Sequence, residues 1–351
     1  MPAGRTSHLV EPELQLLGHK GAVNSCAFSP DGTRLAAGCA DGGVYIWTVF
    51  DEPPQNIELI PLHKNQIIQC VWTPDSTKIC TASADNTGIV FDMVDGVKLK
   101  TLRHSSYVNS VATASDTIAT PPLVLTGSDD TTAKLWDLRL KRAVAVFRHD
   151  FPVTAVALAP DAHTVFTACI DEKIRAFDLR GAMSAQARLR NAVAARLAGE
   201  EEEGGEPDVS ALTNPVYVLE GHSGAITGMS VNADGSALAS TSTDGTVRVW
   251  DARRFVTAER LATRGRQLTT LSGFAHDPTR SLMVQCAFSA DGAYVASGSS
   301  DNYACVWSSL TGELKQQLGG HKGPVVAVAF HPTEPIIASA SYDRTIFLSE
   351  Y

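Results

Sequence analysis

The stretch GHSGAITGMSVNADGSALASTSTDGTVRVWD, residues 221–251, decides the fold. It opens on Gly221-His222, carries turn signals at Asp234-Gly235 and Asp244-Gly245, and closes on Trp250-Asp251. Short runs rich in Val, Ile, Thr and Ala between Asp-Gly pairs predict antiparallel strands joined by tight hairpins. One such unit cannot bury its own apolar faces, so its fold depends on how often it recurs.

It recurs along the whole chain. Histidine and turn aspartate pair as His19/Asp41, His63/Asp85, His104/Asp130, His149/Asp171, His222/Asp244, His276/Asp301 and His321/Asp343. Five of these seven pairs are 22 residues apart, and the other two carry insertions around Thr113–Pro122 and Asp277–Leu282. Six residues after the aspartate stands an aromatic, Trp47, Phe91, Trp136, Phe177, Trp250 or Trp307; in the last copy Ser349 stands there. A period of about 42 residues, with four strands per unit and Gly-His and Trp-Asp marks, resembles the WD-repeat β-propeller family. The resemblance runs from about residue 13 to Tyr351. It implies an all-β, seven-bladed propeller spanning 13–351, with residues 1–12 as a flexible tail.

The chain ends predict how the ring closes. The leading strand Leu14–Leu17 has no earlier strands to pair with, and the last repeat stops at Tyr351 without its outer strand. Pairing the two completes the seventh blade and removes an open edge, which would otherwise invite aggregation. Between Asp178 and Val216 the period is broken by an insert, placed at 181–214. Its first half is Ala-rich, with Leu189, Val193 and Leu197 at helical spacing, and its second half is acidic. Composition reads it as a disordered or partly helical loop; a partner-binding helix is the alternative.

Composition narrows the class. The 351 residues are 44% hydrophobic and 19% charged, with a formal charge of −9, which opposes a surface that coats nucleic acid generally. No apolar run approaches the ~18 residues of a membrane helix. Cys26, Cys39, Cys70, Cys80, Cys169, Cys286 and Cys305 lie in strand-like runs with no CxxC pair, which reads as reduced thiols of the cytosol or nucleus.

The histidines, aspartates and hydroxyls invite a hydrolytic reading, but their positions oppose it. Seven of ten histidines are repeat histidines, each with its own turn aspartate. The resemblance implies a structural network of His, Asp, Ser/Thr and Trp in each blade. The matching hydroxyl lies four residues before the aspartate: Thr81, Thr126, Thr167, Ser240, Ser297 and Ser339, with Ala37 in blade one. Complete sets are expected in blade three (His104, Thr126, Asp130, Trp136), blade five (His222, Ser240, Asp244, Trp250) and blade six (His276, Ser297, Asp301, Trp307). Such a set satisfies buried polar groups. No Walker loop, GxSxG, GxGxxG or metal-ligand spacing is present, so neither enzyme nor cofactor is expected.

Function is then expected on the faces of the disc. The resemblance places a partner-binding face at Asn24, Gln66, Tyr107, Asn109, Asp129, Thr154, Thr243 and Tyr342, the alternative being ordinary solvated loops. Arg253, Arg254, Arg260, Arg264 and Arg266 form a basic strip that reads as a contact to an RNA backbone or an acidic partner, or as a solvated edge. Four segments go beyond the generic repeat: WDARRFVTAER (250–260), LVLTGSDDTTAKLWDLR (123–139), CIDEKIRAFDLR (169–180) and HPTEPIIASASYDRTIFLSEY (331–351). In order and position they resemble the WD-repeat subunits of the U5 small nuclear ribonucleoprotein. That implies a nuclear, non-catalytic scaffold of the spliceosome, docking on the large U5 scaffold protein near the U5 RNA. Another WD-repeat adaptor, of a ubiquitin ligase or a chromatin complex, is the runner-up.

Overall fold

The computed structural model describes residue 9 and residues 13–51, 56–114, 123–180, 214–257, 265–277 and 282–351. Seven four-stranded antiparallel sheets follow one another round a ring. The innermost strands, in ring order, are β2 (Val23–Phe28), β6 (Ile67–Trp72), β10 (Val108–Ala114), β14 (Val153–Leu158), β18 (Ile226–Val231), β22 (Cys286–Phe288) and β26 (Val325–Phe330). These strands are nearly continuous apolar runs because each sheet is covered on both faces by its neighbours. All six residues of β14 are buried, as are all six of β27 (Ile336–Ser341). Fully burying one Leu or Ile side chain contributes about 1.5–3 kcal/mol, and each inter-blade layer contains several.

Turn chemistry recurs with the repeat. In blade one Asp31 Oδ1 accepts the hydroxyls of Ser29 and Thr33 and the backbone N–H of Thr33, and Gly32 takes the φ of 75° that the turn needs. Asp291, Ser289 and Gly292 repeat most of this arrangement in blade six.

The ring closes between the chain ends as the sequence predicts. Strand β1 (Glu13–Leu16) pairs with β28 (Ile346–Glu350), in the register Glu13↔Ser349 to Leu16↔Ile346. The strand starts and ends one residue earlier than expected, and Leu17 is exposed. Leu9 is buried in the cluster that joins blade one to blade seven, with Leu16, Trp47, Ile346 and Leu348. The expected tail therefore includes at least one residue of the seam; the rest of 1–12 lies outside the described residues.

Strand alternation sorts the connections onto two faces. Turns between the second and third strands of a blade, and the connections between blades, share one face with the repeat histidines and aspartates. Connections between first and second, and between third and fourth strands, share the other. The insert leaves after β16 (Ile174–Asp178) and returns before β17 (Tyr217–Leu219), so it emerges on the second face. Its residues 181–213 lie outside the described residues. The arginine strip follows β20 (Val247–Asp251) and precedes β21 (Gln267–Leu271), on that same second face.

Candidate functional site

The histidine networks resemble catalytic sets. In blade three Trp136 Nε1–H donates to Thr126 Oγ1 at 2.9 Å, and the Thr126 hydroxyl donates to His104 Nε2 at 2.8 Å. His104 Nδ1–H then donates to Asp130 Oδ2 at 2.9 Å. Blade five repeats the chain: Trp250 to Ser240 at 2.8 Å, Ser240 to His222 at 2.8 Å, and His222 to Asp244 at 2.9 Å. Burial alone would raise the Asp244 pKa, but hydrogen bonds from Thr246, His222 and the backbone of Ser223 outweigh it and hold the carboxyl at about 2. Burial is also the main reason that His104 and His222 lie below the ordinary imidazole value. Each hydroxyl is occupied at both ends, so none is poised as a nucleophile.

Other blades depart in instructive ways. Blades two and seven keep the His–Asp–hydroxyl core, His63/Asp85/Thr81 and His321/Asp343/Ser339, without a tryptophan. In blade one, where Ala37 replaces the hydroxyl, Trp47 Nε1–H donates directly to His19 Nε2 at 3.1 Å. Tyr45 takes Asp41 at 2.7 Å, freeing His19 to donate from Nδ1 to the Arg344 carbonyl of blade seven. In blade four Arg175 takes Asp171 in an ion pair, and the buried His149 Nε2 and Thr167 Oγ1 have no hydrogen-bond partner among the described residues.

Blade six corrects an expectation. His276, Ser297, Asp301 and Trp307 do not form a set: Trp307 Nε1–H donates to the Ser272 carbonyl at 2.9 Å, and the Ser297 hydroxyl to that of Gly298 at 3.1 Å. His276 itself is only partly buried.

The centre of the ring is clasped by polar side chains. Asn24 Nδ2–H donates to Ile67 O at 2.7 Å, Asn109 Nδ2–H to Val153 O at 3.0 Å, and Thr227 Oγ1–H to Val284 O at 2.9 Å, each joining one blade to the next. Ser110 Oγ–H and Val111 N–H both donate to Gln69 Oε1, at 2.7 and 2.8 Å. Gln285 crosses further, accepting from Ser25 in blade one and donating to Ile68 O in blade two. A small cavity remains between Gln69, Ser110, Met229 and Gln285. Glutamine bridges across the ring leave little room there for an extended peptide tail.

The sequence-predicted face residues therefore divide. Asn24, Asn109 and Thr154 are buried and hydrogen-bonded within the ring, Thr154 to Ala168 O. Tyr107, Gln66 and Tyr342 are exposed on the face that carries the histidines, with Asp129 and Thr243 partly exposed beside them. Phe151 and Ile170, which the sequence reading passed over, are exposed on the same face. Their signal was their position, two residues after a repeat histidine and one before a repeat aspartate.

The arginine strip is largely engaged with the protein itself. Arg253 pairs with Asp251 at 2.6 Å and Arg254 with Asp178 of blade four. Arg266 lies over the Tyr217 ring, 3.7 Å from its centroid, and donates to the carbonyls of Arg253 and Arg254. Arg260 and Arg264 lie outside the described residues.

Among the described residues, no group of three or more His, Cys, Asp and Glu is arranged to hold a metal ion. All seven cysteines are free and buried, and burial raises the Cys80 and Cys286 thiols to about 12.

Comparison with known proteins meets this geometry at every blade. The family model for the WD domain, G-beta repeat, matches residues 11–48, 55–92, 96–137, 141–178, 213–251, 265–308 and 312–348. The chain belongs to the WD40 family. Within that family it is 35% identical over 347 residues to the U5 small nuclear ribonucleoprotein 40 kDa protein of Dictyostelium discoideum, covering 99% of this chain and 86% of the relative. The Homo sapiens protein of the same name is 34% identical, over 99% of this chain and 85% of its own length. Pre-mRNA-splicing factor cwf17 of Schizosaccharomyces pombe is also 34% identical, over 99% and 89%.

Proposed function

We propose that this WD40 protein is a non-catalytic scaffold subunit of the U5 small nuclear ribonucleoprotein and acts in pre-mRNA splicing in the nucleus. The observation that carries the reading is collinear, nearly full-length similarity to U5 40 kDa proteins of Dictyostelium and human, and to a fission-yeast splicing factor. Length of match alone does not decide it, because a guanine nucleotide-binding protein subunit beta also covers 94% of this chain, but at 23% identity against 34–35% for the splicing proteins. The network geometry supports the same role, since the hydroxyls and imidazoles of blades three and five are engaged in holding strands together.

The partners we favour are proteins: the large U5 scaffold protein and its neighbours, met on the faces of the ring. Arg253 gives Nε–H and Nη2–H to Asp251 and Arg254 pairs with Asp178, so a phosphate met here would share each guanidinium with a carboxylate. For these arginines an intramolecular role is therefore the better reading.

Affinity purification of the full chain from nuclear extract, with sequencing of bound RNA and identification of bound proteins, tests the proposal. Enrichment of U5 RNA with splicing proteins is expected. Recovery of only ubiquitin-ligase or chromatin components would overturn it.

A further inference from the structure

We propose that the sector of the histidine-bearing face formed by blades three and four docks a protein segment rich in Lys or Arg and carrying aliphatic side chains. The proposal rests on the scaffold reading and names the chemistry of one partner. Three large apolar side chains gather there on different connections: Tyr107, Phe151 and Ile170, with 50%, 46% and 45% of their surface exposed. The connections that carry them are tied together by hydrogen bonds. Asp129 N–H donates to Tyr107 O at 3.0 Å, Asn109 bridges Asp129 Oδ1 and Val153 O at 2.6 and 3.0 Å, and Ile170 N–H donates to Pro152 O at 3.3 Å. A patch held this way does not have to be ordered when a partner arrives, which lowers the entropic cost of binding.

Charge selects the occupant. Asp129, Asp150 and Glu172 rim the patch, and the carboxylates of Asp150 and Glu172 are exposed and make no ion pair among the described residues. The cations beside them are already engaged, Lys173 with Glu220 and Arg175 with Asp171. Arg148 stands further out, on the outer strand of blade three. The face as a whole is polarised. The residue after the repeat histidine is Lys322, Lys20 and Lys64 in blades seven, one and two, but Asp150 in blade four and Asp277 in blade six. A basic segment is drawn toward blade four and repelled from the opposite arc, which fixes orientation as well as position. Its aliphatic side chains cover Tyr107, Phe151 and Ile170 while its cations meet Asp129, Asp150 and Glu172.

The test uses the full chain in three forms: wild type, Phe151→Ser with Ile170→Ser, and Asp150→Lys with Glu172→Lys. All four positions are on the surface, and equal melting temperatures confirm that the forms are equally folded. The probe is a peptide array tiling the proteins that co-purify with the wild-type chain, together with a photo-cross-linking phenylalanine at position 151 in the assembled particle. Wild type is expected to bind basic, aliphatic peptides, each double variant to weaken that binding by about tenfold or more, and the cross-link to fall in the same segments. Equal binding by all three forms, selection of neutral or acidic peptides, or cross-linking of position 151 to RNA would overturn the proposal. If the wild-type chain joins no U5 particle, the scaffold reading fails instead, and the array, drawn from whatever does co-purify, still decides the patch.

Discussion

His331 donates from Nε2 to the carbonyl oxygen of Gly32 at 2.9 Å, across the joint between blade seven and blade one. Its Nδ1 accepts the backbone N–H of Glu334 at 3.0 Å, so the ring is held in one neutral tautomer, with Phe28 and Phe50 packed edge-on against it. On the opposite face His19 bridges the same joint, donating to Arg344 O at 3.1 Å and accepting from Trp47. The seam thus has a histidine at each end and the β1–β28 pairing along its outer edge.

Removing residues 1–17 deletes β1 and Leu9, exposes the edge of β28 and opens the buried cluster at the joint. The melting temperature of the truncated chain is expected to fall markedly, with concentration-dependent association through the bared strand. His331→Ala should cost about 1–3 kcal/mol by removing the bond to the buried Gly32 O and the acceptor for Glu334 N–H. Urea unfolding of the two variants measures both effects; wild-type stability of the truncated chain would reject strand closure.

Acid should loosen the ring. His19, His63, His104, His222, His321 and His331 are all held below the ordinary imidazole value, with burial the largest cause in each. The unfolded chain therefore takes up protons first as pH falls, so stability is complete above about pH 6.5 and is lost progressively below it. Asp244, at about 2 in the folded chain, gives way only in much stronger acid. Unfolding midpoints taken from about pH 7.5 to about pH 4.5 should decline steadily; a flat profile would show that the histidines are not held neutral.

Ser240→Ala and Ser297→Ala occupy equivalent repeat positions but should differ. The first strands the Trp250 N–H and His222 Nε2 inside blade five, at about 1–3 kcal/mol. The second removes only a local contact to Gly298 O, at well under about 1 kcal/mol. Parallel chemical denaturation of the two variants measures the difference, and equal losses would mean that blade six closes its set after all.

A similar contrast separates blades three and four. Thr126→Val should destabilise by about 1–3 kcal/mol, because Thr126 links Trp136 to His104. Thr167→Val replaces a buried hydroxyl that has no partner among the described residues, so it should be neutral or stabilising by up to about 1 kcal/mol. Thermal melts of both variants decide the matter; destabilisation by Thr167→Val would reveal a hydrogen bond to that hydroxyl.

Much of this protein is legible in one dimension. The Gly221–Asp251 unit, its seven copies and the unmatched end strands determine a closed ring of seven sheets, because hairpin turns and strand alternation are local and the closure follows from counting. The networks of blades three and five were equally legible, since the hydroxyl and the tryptophan lie on paired strands and the aspartate in the turn between them. Tertiary structure decided the rest. Arg175, four residues after Asp171 across the turn, captures its carboxylate, and in blade six Trp307 gives its N–H to Ser272 O instead of to Ser297. Asn24, Asn109 and Thr154 look like face residues by position, yet the carbonyls that hold them belong to strands 14–44 residues away. Phe151 and Ile170 of blade four share a face with Tyr107 of blade three because Asn109 bonds Val153 O across the blade boundary. Spacing within a repeat states which groups can meet, whereas competition among donors and acceptors from neighbouring blades determines which ones do.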